Sequence, residues 1–188
     1  MSQKGNALFL ILIAVVLFAA LSYAVTQSGR SGGGVDKEQA IIAAAKLTQY
    51  GSAVHTAITR MILTGTTVAN LDLTEAGVGE NAVFAPEGGG VAWQVPTSDM
   101  GAGTVYSFSS GKNITNIGTV SNEVTMTLSG MKFSVCEQIN KNLGLSISPI
   151  QSDSNIFDNT YDAYPGEAFF CFNNSFGAFI YLHTFVEQ

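Results

Sequence analysis

Charge is scarce in this 188-residue sequence: Asp, Glu, Lys and Arg together make up 12% of it, and only 8 residues are basic. Against 14 acidic residues this gives a net charge of −6, so no basic surface offsets phosphate charge and a nucleic-acid partner is excluded. Cysteine and histidine are nearly absent as well. Cys136, Cys171, His55 and His183 fall at none of the usual spacings of a closed zinc site, so no structural metal and no cofactor is expected. Proline is rare at 4 residues, whereas Gly numbers 20, Phe 12 and Tyr 6, a balance that excludes disorder and suits a turn-rich fold with a real core.

The apolar residues are concentrated at the start. Residues 7–24 run uncharged behind Lys4, and as a helix they would rise roughly 27 Å, close to the hydrocarbon thickness of a bilayer. A retained membrane anchor, a cleaved secretory signal and the apolar spine of a filament subunit are the three competing interpretations. Ser22-Tyr23-Ala24 fits a signal-peptidase site, but the run is longer than a usual signal core. All three place the rest of the chain outside the cytoplasm, in agreement with Lys4 on the inner side.

Residues 28–35, with Gly32, Gly33 and Gly34, read as a flexible hinge. A helix is then expected over 36–64, with Asp36 as N-cap, Gln39 completing a capping box and Gly65 at the C-cap position. Leu47, Tyr50, Val54, Ile58, Met61 and Ile62, preceded by Ile41 and Ile42, form its apolar stripe, and His55 lies just off it as an exposed or rim residue. Beyond Thr66, short apolar runs broken by Gly, Asn, Ser and Pro predict strands at 82–85, 91–95, 104–109, 123–128, 168–172 and 178–185. A short helix is expected over 134–143, with Ser134 and Glu137 as its capping box, followed by a loop over 146–166. The last two strands read as a hairpin with both faces largely apolar: one face covers the long helix, and the other meets a partner, another part of the domain or a covering loop. The fold class is thus α+β: an N-terminal apolar helix (6–27), a hinge (28–35) and an extracytoplasmic globular domain (36–188) whose amphipathic helix packs on an antiparallel sheet.

In an exported chain Cys136 and Cys171 are expected to form a disulfide, the alternative being two buried free thiols. Asp153, Asp158 and Asp162 gather carboxylates in one loop as a weak Ca²⁺ candidate, without the regular spacing of an EF-hand. No catalytic constellation emerges. Ser109 and Lys112 match S-x-x-K without its companion elements, and Gly77-Val-Gly79-Glu-Asn-Ala82 matches a phosphate-binding pattern without opening a helix. An enzyme is not expected.

Met1-Ser-Gln-Lys4-Gly5, followed at once by Asn6-Ala-Leu-Phe-Leu-Ile-Leu-Ile, resembles the short basic leader and apolar helix of type IV pilins and the pseudopilins of type II secretion. The order of helix, sheet and C-terminal disulfide is also similar to that family, type IVb pilins in particular. The resemblance implies cleavage between Gly5 and Asn6, residence in the inner membrane as a precursor, and later assembly into an extracellular filament. Leu8, Phe9, Leu10, Ile11, Ile13, Val15, Val16, Leu17 and Phe18 would form its core, packing against further copies or other pilin-like subunits. Leu10 stands at the fifth mature position, where the family usually carries a glutamate, so register would come from shape or from the globular domains. The other expectation is a single-pass anchored or secreted binding domain on the cell surface, its ligand unknown.

Overall fold

The computed structural model describes residues 4–28, 32–118, 123–147, 149–153 and 160–186. The chain divides into two units, Met1–Glu38 and Gln39–Gln188. In the first, α1 (Lys4–Ser28) carries the apolar run, and from Phe9 to Leu21 it presents no polar side chain on any side. Among the described residues no helix is long and apolar enough to cross a membrane. The transmembrane part of the expectation therefore rests on the sequence alone.

The second helix, α2 (Gly32–Leu63), begins four residues earlier than expected, so Gly32–Gly34 are helical and Asp36 is not its N-cap. Once a helix is nucleated, each further residue adds one backbone hydrogen bond, which offsets a cost of about 1 kcal/mol per glycine relative to alanine. In the second unit the predicted stripe is buried at Leu47, Tyr50, Val54, Ile58 and Met61. Toward the N-terminus it continues through Ala40, Ala43 and Ala44, while Ile41 and Ile42 face outward at 42% and 53% exposure, contrary to expectation.

The stripe lies on a six-stranded sheet made of β1 (Tyr106–Ile114), β2 (Glu123–Met131), β3 (Ser152–Asp153), β4 (Thr160–Tyr161), β5 (Phe169–Asn174) and β6 (Phe179–Val186), in the order β3-β5-β6-β2-β1-β4. The four long strands pair antiparallel, and the two-residue strands add parallel at the edges. The expected hairpin is β5–β6, closed by the Asn174 side chain, whose Oδ1 accepts from the backbone N–H groups of Phe176 and Ala178 at 3.1 and 2.8 Å. Between β2 and β5 stands α3 (Phe133–Asn142). Its N-cap is Lys132, with no side-chain capping bond, so the Ser134 capping box does not form.

Two predicted strands are missing. Residues 82–85 form turns and a single bridge, Asp72 to Ala82, and residues 91–95 join no sheet. The Ala82 and Val83 carbonyls accept from Gly89 and Val91, a tight local turn that leaves no ladder to extend, and Pro86 and Pro96 lack donors. This irregular segment is held instead by rings. Phe84 packs edge-on to Trp93 and Phe108, with centroids 4.7 and 5.1 Å away.

The expected loop 146–166 contains β3 and β4, whose two-residue length leaves no periodicity to read. Its inner residues settle the fate of the second apolar face of the hairpin. Phe170, Phe172, Ile180 and Leu182 are covered by Tyr161, Tyr164, Ile114 and Ile117, with Leu145 and Ala163 at the margin. That face is met by the covering loop together with another part of the domain, the end of β1 and the turn after it. The sheet curls until its edges approach: Asp153 on β3 accepts through Oδ2 from the backbone N–H of Asp162, just after β4, at 3.1 Å.

Candidate functional site

Four sets of residues carry chemistry or exposed apolar surface. The first is the link between α3 and β5. Cys136 and Cys171 form the expected disulfide across 35 positions, with Cα atoms 5.3 Å apart. One helical turn further on, Asn140 reinforces it: its Nδ2 donates to the Cys171 carbonyl at 2.7 Å and its Oδ1 accepts from the Cys171 N–H at 2.8 Å. A buried side-chain amide thus stands in for a neighbouring strand. Asn140 Nδ2 also lies 3.1 Å from the Tyr164 hydroxyl, which donates to the Ser146 carbonyl at 2.7 Å and so fastens the covering loop. Sequence reading missed Asn140, because an asparagine inside a helix gives no sign of what its side chain meets.

The second set is a buried histidine. His183 on β6 is 4% exposed, stacked on Phe169 and tilted against Phe185, each ring centroid 5.0 Å away. Its Nδ1 is 2.8 Å from the Tyr181 hydroxyl. Burial, and secondarily the neighbouring His55, push its pKa down to about 4. Burial also raises the Tyr181 pKa, so a protonated phenol stands beside a neutral ring. His55 is exposed, as expected, and rests edge-on over His183 and Phe185 with centroids 6.1 and 6.2 Å away. The pair offers no nucleophile or metal pocket.

The third is α1 itself. Phe9, Leu10, Ile11, Val15, Val16, Leu17 and Phe18 are all more than half exposed, and Ile13 is exposed at 39%. Gly5, Asn6 and Leu8 lie in the first turns of α1, where only the backbone is described.

The fourth comprises two polar notches on the globular unit, each of about 420 Å³. Arg60, Thr64, Asn70, Glu80, Asn81 and Glu87 line one, in which Arg60 donates to the Gly89 carbonyl at 2.6 Å. The other is lined by Gln39, Ile42, Lys46, Ser98, Asp99 and Lys132, with Lys46 and Asp99 paired at 3.1 Å.

Of the calcium candidate, Asp153 and Asp162 fall among the described residues, which hold no group of three or more His, Cys, Asp or Glu side chains placed for a metal ion. Asp158 lies outside them, and Asp153 is committed to the backbone of Asp162. Ser109 and Lys112 flank an irregularity in β1 instead of sharing a pocket, and Lys112 sits in the strand over the Tyr161 ring. No known protein family, curated protein or solved structure matches the chain.

Proposed function

We propose that the chain is a structural subunit of an extracellular pilus-like filament or pseudopilus, and that it polymerises through α1. The observation that carries this reading is an apolar helix with no polar side from Phe9 to Leu21 and with its large side chains in the open. A helix apolar all round is stable only inside a protein core or a lipid phase. Packed against the same helix of other copies, each large side chain would contribute on the order of 1.5–3 kcal/mol on leaving water. Before assembly the inner membrane would supply the apolar surroundings. The globular unit, with its own core and disulfide, would face outward.

The test is to sequence the N-terminus of the mature protein and to image assemblies of the wild type and of Val15→Asp. A mature chain starting at Asn6, and filaments lost in Val15→Asp with the disulfide intact, are expected. Normal filaments from Val15→Asp, or a wild-type chain that starts at Val25 and stays monomeric, would overturn the reading and favour a secreted binding domain.

A further inference from the structure

The two notches have mirrored charge. One holds two carboxylates, Glu80 and Glu87, beside one guanidinium, Arg60; the other holds two ammonium groups, Lys46 and Lys132, beside one carboxylate, Asp99. Asp99 is paired with Lys46, whereas Arg60 donates to the neutral Gly88 and Gly89 carbonyls and keeps its charge, so the first notch carries a net charge of −1 and the second a net charge of +1. Among the described residues the Lys46–Asp99 pair is the one salt bridge, which leaves Glu80, Glu87 and Lys132 with no ion pair there. Lys46 itself remains 51% exposed.

The notches are placed by one helix. Lys46 and Arg60, which line one each, are separated by close to four turns of α2, so they share a face about 21 Å apart along its axis. Apolar side chains accompany both: Ile42 lines the basic notch at 53% exposure, and Leu63, next to Thr64 in the chain, is 81% exposed.

We infer that the globular unit binds a second copy of itself about a two-fold axis crossing α2, so that the Lys46 and Lys132 notch of each copy receives Glu80 and Glu87 of the other. A two-fold contact uses one patch on both subunits and needs that patch to be self-complementary, which opposite charges at two points of one helix face provide. Each operation of the axis makes the same ion pairs twice. This contact does not depend on α1, and it gives a route by which heads could join whether or not the helices polymerise.

Zero-length carbodiimide cross-linking of the full chain, prepared as an equal mixture of ¹⁵N-labelled and unlabelled protein, tests it. The expected products are mixed-isotope isopeptides joining Lys46 or Lys132 to Glu80 or Glu87, reduced severalfold when ionic strength rises from about 0.05 M to about 0.5 M. Sedimentation velocity, which does not depend on the amines, should show the wild-type dimer lost in a Lys46→Glu, Lys132→Glu chain. That chain mixed with a Glu80→Lys, Glu87→Lys chain should recover cross-links between the reversed positions. Wild-type cross-links confined to single chains, or a dimer that persists in the reversed chain alone, would overturn the inference. Loss of filaments in Val15→Asp with these links retained would separate it from the assembly reading.

Discussion

The Tyr181 hydroxyl lies 2.8 Å from Nδ1 of His183, and the backbone of Gly51 closes over the same ring. This contact seats α2 on β6. A histidine, the side chain best suited to change charge near neutrality, is here held neutral between two rings and a helix.

Burial of the ring makes stability depend on pH. His183 titrates near 6.5 in the unfolded chain and near 4 in the fold, so between those values the unfolded state binds more protons. Stability should be complete above pH 6.5 and fall as pH drops toward 4, by about 3 kcal/mol from this residue alone. The facing titratable groups are His55 and Tyr181. Urea unfolding at several pH values should show the slope, and His183→Phe should flatten it. An unchanged slope in that variant would assign it elsewhere.

Gly51→Ala sets two effects against each other. Alanine raises helix propensity by about 1 kcal/mol. Its Cβ, however, would fall on His183 Nδ1 and within 2.9 Å of Cε1, on a ring pinned by Phe169 and Phe185. Overpacking costs about 1–3 kcal/mol and should win, giving a lower thermal midpoint. A midpoint at or above that of the wild type would show that the ring can move aside.

Removing the disulfide as Cys136→Ala, Cys171→Ala should cost about 4 kcal/mol by loop-closure entropy for a separation of 35. Denaturant titration measures it. The covering segment behind the sheet should gain hydrogen exchange first, since Tyr164 reaches it through Asn140.

Asn140→Ala should destabilise by about 2–4 kcal/mol, because the Cys171 N–H and carbonyl both lose a buried partner. Since the amide and the disulfide hold the same residue, the triple variant should lose less than the sum of the separate losses. Strict additivity would mean that the two links act independently.

The sequence by itself determined the elements with a strong period or long reach: the stripe from Leu47 to Met61, the two apolar strands of the C-terminal hairpin, and the only possible disulfide partners, Cys136 and Cys171. Each is a local pattern repeated often enough to outweigh its neighbours, or a count that leaves one pairing. Tertiary structure decided what local pattern leaves open. Gly32–Gly34 are helical although their propensity opposes it, and residues 91–95 stay out of the sheet although their composition suits a strand. The two-residue edges β3 and β4 exist only because β5 and β1 present open backbone to them. Asn140 and His183 gained their roles in the same way: a single polar side chain has no period, and its partners, Cys171 and Gly51, are brought to it only when the chain is folded.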